Sequence, residues 1–329
     1  MTEPLLAPPL TAPETVEPRS IMPGGGPRRI RRAVPSWLRE LLRRPTGVFG
    51  LVTIATILLT SAVAVLWTPH DPAYADPYRR WQGSSAEHLL GTDQLGRDVL
   101  SRLMAGAGTA LQVALGSLVV AAIVGVVLAV LSSAASTWVR ESTVVVVDVL
   151  IAFPTLLIAM LLATTYGGSL LVVIVSVGIA SGVGISRIIK NEIIRVSTAD
   201  YVLAARAAGV GPLRLIADHL IPNVGALFIV LLSTTAAFSI LSEAGLSYLG
   251  YGAPPSVVSW GRMLAESQRF IGAYPEAVIG PGVAISLAVL GLTLFGDALR
   301  EATDPRLKRG RSRLREIPPR SSQGVRDGS

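Results

Sequence analysis

Asp200-Tyr-Val-Leu-Ala-Ala-Arg-Ala-Ala-Gly-Val-Gly-Pro-Leu-Arg-Leu-Ile-Ala-Asp-His-Leu-Ile-Pro-Asn223 is the only long polar interruption in an otherwise membrane-like second half of the chain. Asp200 suits a helix cap, Gly209 can end that helix in the left-handed conformation, and Pro212 suits the first turn of a second helix. The second helix is expected to stop near Ile221, ahead of Pro222. The stretch therefore predicts helix, tight turn, helix. Tyr201, Ala204, Ala205 and Ala208 follow the i, i+3, i+4, i+7 rule, so one face is almost bare of bulk and permits close approach of another surface. A helix this short falls below the roughly 12 to 15 residues needed for stability alone in water, so packing must hold it.

The surroundings of this stretch are apolar. Half of the 329 residues are hydrophobic and 16% are charged, which is the composition of a polytopic membrane protein. The absence of cysteine removes disulfides, thiolate metal sites and cysteine nucleophiles together. The net charge of +7 sits on arginines in the two tails and in the central stretch, a topological pattern that does not call for a nucleic-acid partner. Only two lysines occur, Lys190 and Lys308, and neither lies in a Gly-x-x-x-x-Gly-Lys-Ser/Thr loop. Any ATP chemistry must come from a partner.

Residues 1–44 are rich in proline and arginine and read as a basic cytoplasmic tail without fixed structure. Within it, Ser36 to Arg44 is either a short amphipathic helix on the anionic inner leaflet or a plain basic flank. Apolar runs then predict spans at Gly47–Trp67, Thr109–Ser132 and Thr143–Thr164, with a turn at Trp138-Val139-Arg140-Glu141 before the third. Tyr166-Gly167-Gly168-Ser169 breaks the third span from a fourth at Leu170–Ile185. A fifth follows at about Val224–Leu241, then an external segment from Glu243 to Glu276, and a sixth at Ala277–Gly296. Six crossings place both tails and the arginine-rich central stretch on one side, as the positive-inside rule requires. The fold class is all-α polytopic, with a six-helix domain over 45–307, helix pair included, and a second basic tail over 308–329.

Ionisable residues in spans are functional candidates, because a charge at the centre of the hydrocarbon costs about 2.5 to 3.5 kcal/mol on insertion scales. Asp148, near the start of the third span, is either an interfacial packing residue or part of a pathway. Glu243 lies just past the fifth. Pro154 is expected to kink the third helix and free the carbonyl of Leu150, serving either as a hinge or as packing alone. Asp297 and Arg300 read as an end-anchor pair. His70, His88 and His219 are scattered, with no i, i+4 partner of metal-ligand spacing, so no catalytic set and no metal site is expected.

Four stretches carry a family resemblance. Ala204-Ala205, then Gly209, then His219-Leu220-Ile221-Pro222-Asn223 resembles the EAA loop of ABC importer permeases, in the form typical of the peptide/nickel class. Gly91-Thr92-Asp93-Gln94-Leu95-Gly96-Arg97-Asp98-Val99-Leu100-Ser101-Arg102 is similar to that family's external motif. Glu243 to Gly252, followed by Ser259-Trp260-Gly261, is similar to its segment after the fifth span, and Gly296 to Leu307 to its C-terminal signature. One departure stands out: Leu203 occupies the position of the loop's namesake glutamate.

The resemblance implies a type I permease of the C-type in the bacterial cytoplasmic membrane, with both termini cytoplasmic. It implies a second homologous permease, two ABC ATPases or one fused ATPase carrying ATP and Mg2+, an external substrate-binding protein, and no cofactor on this chain. It implies coupling to the ATPases through Tyr201, Ala204, Ala205, Arg206, Ala208 and Gly209, and through Pro212, Arg214, His219, Pro222 and Asn223. Asp148, Pro154, Glu243 and Ser247 become candidates for the translocation pathway. Di- or oligopeptides are the expected substrates. A nickel or other small-solute permease is the alternative, and a stand-alone secondary transporter or a scaffold without flux are competing classes.

Overall fold

The computed structural model describes residues 40–133 and 136–303. The tail readings on 1–39 and 304–329 lie outside the described residues, as does a helix stop at Asp304-Pro305. The described chain runs through α1 (Pro45–Leu66), α2 (Val99–Leu131), α3 (Thr137–Ala152), α4 (Thr155–Tyr166) and α5 (Leu170–Ser197). It continues through α6 (Asp200–Ala207), α7 (Pro212–Leu215), α8 (Ile221–Tyr248), α9 (Trp260–Ser267) and α10 (Glu276–Thr303). Among the described residues, five helices are long and apolar enough to cross a membrane. The pair α3 and α4, bent by 83°, supplies a sixth crossing if counted as one broken span.

Several boundaries differ from expectation for identifiable reasons. The second long helix starts at Val99, well ahead of Thr109, because Asp98 caps it by accepting the Ser101 N–H at 2.8 Å. Trp138 to Glu141 is not a turn; it forms the first turns of α3. Pro154 breaks the third span outright. It lacks an N–H and holds Phe153 extended at φ −88°, ψ 131°. The Leu150 carbonyl is not freed, since it accepts the Phe153 N–H at 3.4 Å.

Helix α5 extends past Ile185 to Ser197, and its 28 residues span roughly 42 Å. That exceeds a hydrocarbon layer of about 30 Å, so the end carrying Lys190 and Arg195 projects beyond it. Helices α8 and α10 likewise overrun their predicted spans at both ends.

Helices in lipid gain little from hydrophobic burial against each other and associate through close packing of small residues. Along α2, Gly106, Ala110, Ala114, Ser117, Ala121, Gly125 and Ala129 form such a buried line. Helix α5 meets it with Gly178 and Gly182, where an added Cβ would lie 2.6 Å from the Val120 Cβ and 2.8 Å from the Val124 Cβ. The same device joins α1 to α10, since a Cβ on Gly50 would fall 2.7 Å from the Gly291 carbonyl oxygen.

At one end of the bundle Leu41, fully buried, packs with Val230, Ala298 and Leu299, and Arg44 pairs with Glu301. Leu41 therefore inserts among helices rather than into a lipid leaflet. The segments 67–98 and 249–275 gather at the opposite end, where Arg97 and Arg102 reach Glu266 of α9.

Candidate functional site

The helix pair is built largely as its sequence predicts. Helix α6 opens after Ala199, so Asp200 is its first residue rather than its cap. It closes in a Schellman motif: Gly209 has φ +79°, the Gly209 N–H bonds the Arg206 carbonyl at 3.0 Å, and the Val210 N–H bonds the Ala205 carbonyl at 3.1 Å. Only Gly takes that φ without strain. Buried Val202 anchors the short helix against Val196 at the end of α5 and Leu215 of α7, with Ala205 packed on the same cluster. This supplies the tertiary support that an eight-residue helix needs.

The second helix does not stop at Ile221. After α7 the backbone loosens into a π turn over Ile216–Leu220, with the Ile221 N–H bonded to the Ile216 carbonyl, and runs on into α8. Pro222 cannot donate to an i−4 partner, and the wider turn accommodates it without ending the helix. The helix pair is thus joined rigidly to a membrane-spanning helix.

The face turned outward carries Tyr201, Leu203, Ala204, Arg206, Ala208 and Gly209, all exposed. Leu203 is 47% exposed and Ile216 44%. Ala205 is half-buried, so three of the four small-face residues look outward and the fourth leans on the core. Arg214 bonds Asp218 at 3.2 Å on the surface, and Pro222 and Asn223 are exposed. Pro212 and His219 are placed by their backbone only, in α7 and in the π turn.

The pathway candidates separate. Asp148 is exposed on α3, 3.8 Å from Arg187 of α5. Pro154 is exposed at the sharp bend. Glu243 lies inside α8, which runs on past the predicted span to Tyr248, and is 2% exposed. Its carboxylate accepts the Ser247 hydroxyl at 2.6 Å. Ser247 is also buried and accepts the Ala253 N–H at 2.7 Å. These two residues tie the end of α8 to the following segment.

At the loop-bearing end the adjacent Arg97 and Asp98 take different partners. Arg97 and the buried Arg102 both bind Asp93 and Glu266. Burial pushes the Glu266 carboxyl up, but the two guanidiniums outweigh it and hold it below the usual carboxylate range. Asp98 is buried with His88, whose Nδ1 lies 3.0 Å from Oδ1. Burial raises the Asp98 carboxyl, and hydrogen bonds from Ser101 and His88 more than offset that, leaving it low. The histidines are not all scattered: His70 and His88 stand with ring centroids 4.5 Å apart. Their sequence spacing matches no local motif, so only the fold could reveal the pair.

Comparison with known proteins agrees with this architecture. Residues 121–309 match the family described as binding-protein-dependent transport system inner membrane component. The dipeptide transport system permease protein DppC of Alkalihalophilus pseudofirmus is 33% identical over 305 residues, covering 92% of this chain and 98% of its own. A putative peptide transport system permease protein of Brucella suis biovar 1 is 36% identical over 273 residues, covering 82% and 91%. A chain from inward-facing structures of the MetNI methionine ABC transporter, 16% identical, aligns with a TM-score of 0.48 over 61% of this chain and 94% of that one. With its family model and near full-length relatives in agreement, the chain is a multi-pass membrane protein that belongs to the binding-protein-dependent transport system inner membrane component family.

Proposed function

We propose that this chain is one of two permease subunits of an ATP-driven importer of di- or oligopeptides in the cytoplasmic membrane. Its permease domain spans 45–307, flanked by basic cytoplasmic tails over 1–44 and 308–329. A second homologous permease packs on the exposed apolar surface of α3 and α4. Cytoplasmic ATPases, separate or fused, hold ATP and Mg2+, and an external binding protein delivers substrate. This chain itself performs no catalysis and binds no nucleotide, having no phosphate-binding loop.

The observation that carries this reading is the outward face of α6, where Ala204 and Ala208 lie beside Tyr201, Leu203 and Arg206, mounted on a continuous path into α8. Movement of an ATPase surface against Tyr201, Leu203, Ala204 and Ala208 is passed to α8 as a rigid displacement, because α6 is anchored through Val202. The peptide assignment is supported by the names of the relatives, and by the absence of any His or Met cluster on the predicted spans that would suit a metal cargo. Asp148 and Pro154 are the pathway candidates left on an open surface.

The test is Ala204→Trp in the assembled complex, reading peptide-stimulated ATP hydrolysis, peptide uptake and ATPase copurification together. Ala204 is preferred to Ala205, whose partial burial would confound docking with packing. The expected result is loss of uptake with an intact, membrane-inserted permease. Unchanged stimulated hydrolysis and uptake would overturn the coupling assignment. Recovery of the tagged chain alone from native membranes would favour a stand-alone transporter.

A further inference from the structure

We propose that His70, His88 and Asp98 form a binding site for a first-row divalent cation of the Zn2+ kind at the loop-bearing end of the bundle. Each offers one ligand atom, and these atoms lie within 4.8 Å of one another. His88 and Asp98 are buried and His70 half-buried, in a cavity of about 220 Å3 also lined by Asp76, Arg79, Glu87 and Tyr74. Three carboxylates face one guanidinium there, so the cavity attracts a cation. Two imidazoles and one carboxylate match the donors that zinc accepts with bonds of about 2.0 to 2.2 Å, leaving a fourth position for water.

The distances need little change. Neighbouring ligand atoms around a tetrahedral ion are roughly 3.3 Å apart, by trigonometry from those bond lengths. His88 Nδ1 and Asp98 Oδ1 already stand 3.0 Å apart. The ion takes the place of the hydrogen they share: that proton leaves His88 Nδ1 while one is taken up from solvent at Nε2, so the imidazole stays neutral. The His70 ring then moves by roughly an ångström or two to close the set.

The orientation of His70 supports this arrangement independently. Its Nε2 lies 2.9 Å from the Glu87 carbonyl oxygen, so Nε2 carries the proton and Nδ1 keeps its lone pair. A ligating histidine that donates its other ring N–H to a backbone carbonyl is the usual outer support of such sites. Asp98 is held in the same way, its second oxygen accepting the Ser101 N–H and hydroxyl at 2.8 and 2.6 Å. Arg79 lies 3.5 Å from His88 Nε2 in the ion-free arrangement. Once His88 is metallated Nε2 carries its own proton, and Arg79 relaxes onto Glu87 and Asp76, with which it already pairs. The ion would clamp the chain after α1, the loop before Leu89 and the cap of α2 together.

The experiment uses the full-length chain with its copurifying partners in detergent, stripped with EDTA, desalted and titrated with ZnCl2. The expected result is one equivalent of zinc retained and a raised thermal midpoint. His70→Ala should weaken zinc binding about tenfold or more and remove most of the zinc-induced rise in the midpoint, measured against its own midpoint in EDTA. His70 is chosen because its backbone N–H bond to the Ser101 hydroxyl survives the change, whereas His88 or Asp98 variants threaten folding. His219→Ala, at the other end of the bundle, should leave zinc binding as it was. Failure of the wild-type protein to retain zinc, equal zinc affinity in His70→Ala, or loss of binding in His219→Ala would each overturn the proposal. Peptide uptake is read separately, so its failure is distinguishable from failure of the metal site.

Discussion

The indole of Trp260 occupies the space that a side chain on Gly106 would need. A Cβ built at Gly106 would lie 2.5 Å from the indole Cδ1, and the indole N–H donates to the Leu103 carbonyl at 2.9 Å. Helix α9 is thereby seated on α2 through this glycine and this hydrogen bond, beside the Arg102–Glu266 ion pair. Gly106→Ala should push the ring out and lower stability by about 1 to 3 kcal/mol, the usual range for overpacking. Trp260→Phe keeps the ring body and loses the bond, for about 0.5 to 1.5 kcal/mol. Thermal unfolding of the purified chain separates the two, with Gly106→Ala the more damaging.

Acid should loosen the same end of the bundle. Glu266 and Asp98 both titrate below the ordinary carboxylate range in the folded chain. A depressed folded value contributes stability that is fully present above the unfolded value of about 4, and is lost as pH falls through the folded one. Limited proteolysis of the 67–98 segment should be flat from neutral pH down to about 5 and accelerate below about 4. Glu266→Gln should raise cleavage at neutral pH and flatten part of the acid response. A profile that rises toward alkaline pH would contradict this account.

How much of this was legible in the chain depends on the range of the interaction. Local rules placed α6, its glycine turn and the spans, because capping, periodicity and hydropathy act within a few residues. They misplaced helix ends at the Asp98 cap, at Pro154 and at the π turn before Pro222, and they left partners set by packing unseen. Arg102 looks like loop charge until Asp93 and Glu266 bury it. Pro222 looks like a helix stop until the π turn absorbs it. The pairing of His70 with His88, and the burial of Glu243, depend on packing between segments that no local pattern encodes. Leu203 was legible as a departure from the family loop, and the structure adds that it faces outward.

That exposure leads to a prediction about docking. If the ATPase contact at α6 is apolar, Leu203→Ala should weaken copurification mildly and Leu203→Lys strongly. A charge desolvated without a partner costs several kcal/mol, against about 1 to 2 for the lost side-chain area. Leu203→Glu restores the family's residue and should fall between them if the partner offers a cation. Titration of the ATPase against the permease in nanodiscs gives the order. Equal affinity for Leu203→Lys and wild type would show that this face is not the contact.

Glu243 separates a positioning role from a pathway role. Its carboxylate receives a hydrogen bond from the Ser247 hydroxyl on its own helix. What the site needs is an acceptor at that point. Glu243→Gln retains an acceptor for the Ser247 hydroxyl and nearly the same volume. This variant should stay within about 1 kcal/mol of wild type in stability and keep peptide uptake. Glu243→Ala leaves the buried Ser247 hydroxyl without its acceptor and opens space beside α8, for a loss of about 2 to 4 kcal/mol. Uptake should then fall in proportion to the folded, assembled fraction. If Glu243→Gln instead abolishes uptake while assembly and melting stay normal, the charge acts on the translocated substrate, and α8 must turn this carboxylate toward the pathway during the cycle.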